Sequence, residues 1–464
     1  MFSRIIKKSL FAGIALSILS SSFAGPVMQI PNTPENLRML DKLGLDYSCM
    51  GSSPEHLHFH YDDHAEQAIA SLGKGKKAIF GAVNETMADA HSQFEALGDD
   101  LGIYHTFEEL EEELQQATLM YPKLAKLTIV GRTFEDRPIY ALEVSNSESQ
   151  EEKVNYLVTG THHAREWIST EVPLASIADL LQNFGKDEEA TSILNNSKIV
   201  FVPMLNVDGA IHSRTQSKMW RKNRNKGGWG TGVDNNRNYA HKWGGKGSSG
   251  SGWSQTYRGP EAMSEIENQV IRSLQEEYGF TAAISFHSYS ELILWPWGYT
   301  NKFQSKDHET FSTHGKKMGE LMGGYRPIQA SGLYPAAGIF DDYLYNDFGV
   351  VAYTIELGRQ FVPPESEVPE INENGSKMLR YVFTNIRESL GQQDNRAYQA
   401  KAAVEELAHA VLSGKRNSTK DLQSFSIHSF NESEIQEAMD GLKMEKDLRG
   451  QLFKVLKQVR SFSN

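Results

Sequence analysis

Cys49 is the only cysteine among 464 residues. An internal disulfide is therefore excluded, and the fold must be held by core packing or by a bound metal. Cys49 also lies far from the densest motifs, which leaves a thiol nucleophile without partners. Positive charge is not in excess: 47 Lys and Arg against 59 Asp and Glu leave a formal net charge of -12. That balance argues against a general nucleic-acid binder and suits solubility or attraction for cationic substrates. Long apolar runs are missing as well. Leu10 to Leu19 is shorter than the about 20 residues that span a bilayer. With Arg4, Lys7 and Lys8 before it and Ser22, Phe23 and Ala24 ahead of Gly25 and Pro26, it reads as an export signal, residues 1–24, cleaved after Ala24. The expectation is an exported chain, secreted or periplasmic, with no membrane span in its mature form. The sequence carries no internal repeats, and its length suggests two or three domains.

What is present is concentrated first at Gly160 to Ser169, where His162, His163, Arg165 and Glu166 crowd together. Tyr156 to Thr159 before them reads as a buried strand, and Ile168 to Leu181 after them has the apolar spacing of a helix. Strand-to-helix loops gather at one edge of a sheet covered by helices, where ligands bind. A His and a Glu there can supply two of the three protein ligands of a catalytic zinc. The third must come from elsewhere.

Residues 25–102 read as a small separate α/β unit, with strands at Val27 to Ile30, Leu57 to Tyr61 and Lys77 to Val83 and helices at Thr33 to Leu43 and Asp63 to Leu72. His56, His58 and His60 would share one face of the middle strand, either as a polar solvent-facing side or as a surface metal site. A second unit opens at Thr106, which with Glu109 forms a capping-box pattern, and Phe107, Leu110 and Leu114 continue at helical spacing. Strands are expected at Leu127 to Val130, Ile139 to Val144, Ile199 to Leu205, Phe280 to Phe286, Leu292 to Trp297 and Val350 to Leu357, with helices at Glu261 to Tyr278 and His308 to Leu321. The Asn206 to Gly209 stretch reads as a turn and Gln329 to Asp342 as a loop. Trp220 to Gly259 is too long for a plain connection and should line a site. Glu356, a carboxylate inside an apolar strand, needs a partner or a function. Beyond residue 391 the pattern is helical, Ala397 to Leu412 and Glu432 to Val459, and reads as an appended hairpin that packs on the preceding domain or on a partner.

Taken together, His163 and Glu166 with His287 far downstream, Arg165-Glu166-Trp167, the Asn206 to Gly209 turn, Trp220-Arg221-Lys222, Asn236-Arg237-Asn238 after Asp234, His287 to Ser290, and Thr354, Glu356 and Leu357 on the last strand resemble the zinc metallocarboxypeptidases of the pancreatic carboxypeptidase A/B family. The resemblance covers roughly residues 105 to 390. It implies an α/β fold with a mixed eight-stranded sheet flanked by helices, occupying residues 103–391. It also implies a small N-terminal α/β activation-type domain at 25–102 and leaves 392–464 as a helical C-terminal extension of unknown role.

Carried over residue by residue, the resemblance implies Zn²⁺ on His163, Glu166 and His287 with a fourth position open to water. His162 and His163 are adjacent, and the family spacing selects His163. Glu356 becomes the general base and acid, and Arg221 the donor that polarises the scissile carbonyl. Asn236 and Arg237 grip the terminal carboxylate of the substrate, Arg165 adds charge along the groove, and Ser288 and Tyr289 border it. Tyr334 matches the tyrosine that closes over substrate. In that register Asp341 stands at the pocket floor, where B-type members carry Asp, which implies release of Lys and Arg. Ile339 and Phe340 replace small residues and would narrow the pocket or give it mixed character.

The implied partners are peptide or protein C-termini, with the N-terminal domain as an inhibitor. Phe94 to Leu114 contains no Lys or Arg, so tryptic removal of that domain at the junction is not expected. Alternatives are A-type or mixed specificity, or trimming of cell-wall peptides. A silent metal- or peptide-binding protein is a more distant one, and Glu356 with Arg221 argues against it.

Overall fold

The computed structural model describes residues 101–226, 232–387, 396–412 and 430–460, together with 27–31, 33, 36, 40, 56–60, 81–82 and 427. The expected cleavage site, most of the N-terminal helices and the linker before residue 101 lie outside these residues. Three N-terminal strands, β1 (Val27–Pro31), β2 (His56–His60) and β3 (Gly81–Ala82), pair antiparallel in the order β2-β1-β3.

The second unit opens as its capping pattern requires. Thr106 Oγ1 accepts the N–H of Glu109, and the Glu109 carboxylate accepts the N–H of Thr106, so helix α1 (Phe107–Met120) starts with two satisfied donors. Then follow β4 (Ala125–Arg132), β5 (Pro138–Val144), β6 (Val154–Thr159), α2 (Ile168–Asn183), α3 (Glu188–Asn196), β7 (Ser197–Val202) and α4 (Val207–Thr215). Beyond the long loop come α5 (Ile266–Tyr278), β8 (Ala282–His287), β9 (Leu292–Trp295), α6 (His308–Leu321), β10 (Arg326–Gln329), α7 (Phe340–Phe348), β11 (Val351–Glu356) and α8 (Val368–Asn385). The eight strands β4 to β11 form one mixed sheet in the order β10-β9-β11-β8-β6-β7-β5-β4. Its four central strands, β11, β8, β6 and β7, run parallel. They are almost continuously apolar and buried, as strands covered on both faces must be. Chain order reverses direction about β6, and the carboxyl ends of these strands form the crevice where such sheets bind ligands.

Two helices replace expected irregular segments. Asn206 to Gly209 does not turn: Asn206 caps α4 by accepting the N–H of Gly209. Gly209 is there for space, because a Cβ would lie 2.5 Å from the carbonyl oxygen of Lys222. Likewise the loop expected to end at Asp342 stops at Ile339, and Asp341 and Asp342 sit in the first turn of α7, where the helix dipole favours carboxylates. The expected helix from Glu261 is shorter and begins at Ile266.

The C-terminal segment is helical, α9 (Arg396–Leu412), α10 (Glu432–Gly441) and α11 (Lys446–Arg460). Its apolar face, including Ala403, Val404, Leu407 and Leu452, continues the core of the sheet unit. Backbone bonds Gln304 N–H to Leu442 and Glu445 N–H to Lys302 fasten it to that unit. No helix among the described residues is long and apolar enough to cross a membrane.

Candidate metal centre and substrate pocket

The crowded loop begins where β6 ends. At Gly160 a Cβ would stand 2.1 Å from the Ser169 carbonyl and 2.5 Å from that of Pro203, so only glycine lets the chain pass this closely. Thr161 follows with φ 57, and the turn carries His163 and Glu166 over the sheet edge. His287 is the last residue of β8 and lies in register with Glu356, the last of β11. Thus strands far apart in sequence deliver the third ligand and the lone acid to one place.

His163 Nδ1 stands 2.8 Å from Glu166 Oε1 and 3.0 Å from His287 Nδ1, and His287 Nδ1 is 2.9 Å from Glu166 Oε2. All three residues are buried. Two ring nitrogens and a carboxylate that converge in this way offer three donor atoms to one cation. Ligands about 2.0–2.1 Å from a tetrahedral zinc are about 3.3 Å apart, and a His₂Glu set is a catalytic one. The residues therefore fit the ion. Among the described residues this is the one group with such an arrangement.

His162 is settled by its partners. Its Nε2 meets the Tyr239 hydroxyl at 2.8 Å and its Nδ1 the Ser285 hydroxyl at 3.0 Å. Both nitrogens are engaged, and the ring stacks behind His287.

Asp234 is the organising group that sequence reasoning passed over. Its Oδ1 lies 3.1 Å from His163 Nε2, which turns Nδ1 toward the metal position. Its Oδ2 accepts Arg221 Nε at 3.1 Å and Nη2 at 2.8 Å, and Oδ1 also accepts the Asn236 N–H at 3.0 Å. Burial alone would raise its pKa, but Arg221, His163 and Arg237 hold this carboxyl well below the usual range. The available signal was an acid standing two residues before the Asn236-Arg237 pair.

Arg221 lies with Nη1 3.8 Å from Glu166 Oε1, beside the metal position. Arg237 spends Nε on the Gly247 carbonyl and Nη1 on that of Asn236, while its buried Nη2 has no hydrogen-bond partner among the described residues. Arg165 is buried, with its guanidinium 4.2 Å above the Phe361 ring. Its Nε and Nη2 are likewise unpartnered. Ser288 donates its hydroxyl to the Phe361 carbonyl at 2.9 Å, and Tyr289 packs edge-on against the same ring. Tyr334 is half-buried against the Leu292, Leu294, Ala330 and Leu333 cluster.

Glu356 keeps part of its surface open. Burial and the Glu166 carboxylate push its pKa up, against the pull of Arg221, with Asp341 adding to the rise. Asp341 is buried, accepts the Thr354 hydroxyl at 2.9 Å, and is pushed well above the usual carboxylate range by burial. Its neighbour Asp342 faces elsewhere, accepting the N–H groups of Gly298 at 2.8 Å and Tyr299 at 3.0 Å. Phe340 packs edge-on against His162 and Tyr239, with its N–H on Asn236 Oδ1, and Ile339 abuts Gly298. Both bulky side chains are buried.

Residues 110–378 match the Peptidase_M14 model, described as zinc carboxypeptidase. The chain is 31% identical to human carboxypeptidase B over 334 residues, 68% of this chain and 78% of that protein. It is 30% identical to mouse carboxypeptidase A4 over 322 residues, 66% and 76% of the two chains. In fold it is similar to carboxypeptidase A from Helicoverpa armigera, with a TM-score of 0.68 at 21% identity over 79% of this chain and 99% of the other.

Proposed function

We propose that this chain, which belongs to the zinc carboxypeptidase family and is thereby a peptide-bond metallohydrolase, releases Lys and Arg in preference from peptide C-termini. His163, Glu166 and His287 hold the zinc. When bound, it supplies Lewis acidity and an activated water.

The remaining work belongs to the chain's own side chains. Glu356, with its raised pKa and its place across from His287 in the sheet, takes a proton from the attacking water and returns it to the leaving amine. Arg221, held by Asp234, presents its guanidinium where negative charge grows on the carbonyl oxygen. Asn236 and Arg237 hold the terminal carboxylate, for which the unpartnered Nη2 of Arg237 is suited. Arg165 extends the positive wall, and Ser288, Tyr289 and Tyr334 border the substrate.

The observation that carries the specificity is Asp341. It is a buried acid that accepts the Thr354 hydroxyl and forms no ion pair among the described residues. Such a site is costly when empty of charge and strongly favours a substrate ammonium or guanidinium that completes it. The export signal supports action outside the cytoplasm, and the N-terminal unit's size and element order support an activation-type domain that covers the groove.

The test is to incubate the zinc-loaded protein, freed of residues 25–102, with peptides ending in Lys, Arg, Phe or Glu and to identify the amino acid set free. Release of Lys and Arg ahead of Phe is expected. Fast release of Phe with none of Lys would overturn the specificity, and no release at all would overturn the activity.

A further inference from the structure

The C-terminal helices lie beyond the family match, which ends at residue 378, and the chemistry above makes no use of them. Yet α9 carries one buried polar side chain, Glu405, and one half-buried, His409, that reach into the sheet unit. Glu405 is 4% exposed; its Oε1 accepts the indole N–H of Trp297 at 2.8 Å and its Oε2 the N–H of Lys306 at 3.4 Å. His409 Nδ1 lies 2.7 Å from the Tyr299 hydroxyl, and its ring meets Trp297 edge-on. A carboxylate is costly to bury, and burial pushes that of Glu405 up to about 7.

What these side chains grip is the strip Trp297 to Tyr299, and the pocket loop hangs from that strip. Trp297 accepts the N–H of Ser331 at 3.1 Å, and Gly298 accepts that of Ala336 at 2.9 Å. Gly298 and Tyr299 in turn donate to Asp342, the neighbour of Asp341. A Cβ at Gly298 would stand 2.3 Å from Ile339, so the contact is close. His241 stacks on Trp297 and gives its carbonyl to the N–H of Gly338. Both ends of the segment from Ser331 to Asp342 are thus braced by residues that α9 holds from behind.

We infer that Glu405 is a positioning residue for the specificity pocket: through Trp297 it fixes the strip that holds Asp342, and so the place of Asp341. The C-terminal extension then sets how tightly the enzyme holds the side chain of the residue it releases. This rests on the reading of Asp341 as pocket floor.

The experiment uses the full, zinc-loaded chain under the same processing as the wild type, and compares peptides ending in Lys, Phe and Ala. The Ala side chain is too short to reach the pocket floor, so it reports on everything except the pocket. In Glu405→Ala, kcat/KM for the Lys peptide should fall about tenfold, mainly through KM, as expected for a misplaced binding group. The Ala peptide should change by less than about twofold, and Glu405→Gln, which still accepts from Trp297, should restore the Lys peptide to within about twofold. An equal fall for both peptides in Glu405→Ala, or no fall for either, would overturn the proposal. If the wild type prefers Phe to Lys, the reading of Asp341 has failed, and the Phe peptide then takes the place of the Lys peptide in the same comparison.

Discussion

The metal cradle and the proposed specificity pocket lie toward one edge of the sheet, but they are fixed in different ways. His287 and Glu356 end adjacent parallel strands and inherit their places from the ladder itself, and His163 is locked by Asp234. Asp341 instead sits in the first turn of a short helix, reached through a loop that borrows its support from Trp297 to Tyr299 and from α9. In the proposed reading, catalytic chemistry therefore stands on the central sheet, while selectivity stands on a helix start supported from α9. Changes on the first side should abolish turnover; changes on the second should redirect it.

The largest effect is expected from Glu356→Gln, which keeps the shape and removes the proton acceptor. It should lower kcat by about 10³-fold or more with KM little changed, measured by steady-state peptide hydrolysis. A comparable rise in KM would mean that Glu356 binds substrate instead. Next, Asp234→Asn frees the orientation of His163 and should weaken zinc binding by about 10- to 100-fold, read by competition with a chelator. Unchanged affinity would remove Asp234 from the metal side.

The smallest effect belongs to the outer support of that side, where His105 bonds Glu171 on α2 and Glu113 on α1. Burial opposes charge on His105, but those hydrogen bonds and the two carboxylates outweigh it and raise its pKa to about 10. Since the folded value lies above the unfolded one of about 6.5, the stabilisation is complete below about pH 6.5 and is lost as pH rises through about 10. His105→Gln should cost about 1 kcal/mol at pH 6 and nothing measurable at pH 10.5, by thermal melting at both. A cost independent of pH would contradict the charge assignment.

The same contrast explains what could be read in the sequence. The metal side was legible because its ligands stand at the ends of apolar runs, His163 and Glu166 after Tyr156 to Thr159 and His287 after Phe280 to Phe286, and Glu356 drew notice as an acid inside an apolar strand. Asp234 was not, since an acid in a Gly- and Asn-rich passage looks like any turn residue until the fold brings positions 163, 221 and 234 together. Helices α4 and α7 were hidden by their composition. Gly209 answers to packing against Lys222, not to a turn, and the Asp341-Asp342 pair serves a helix start as well as a loop. Nor could local pattern say that helices after residue 391 would grip Trp297, because that contact spans more than a hundred residues.

The most direct measurement is the ratio of kcat/KM for peptides ending in Lys and in Phe, taken for the wild type and for Asp341→Ile, with an Ala-ending peptide as control. Replacing the buried acid should lower the Lys-to-Phe ratio by about 100-fold while the Ala peptide is cleaved nearly as before. A ratio that stays the same would show that Asp341 is not the floor of the pocket.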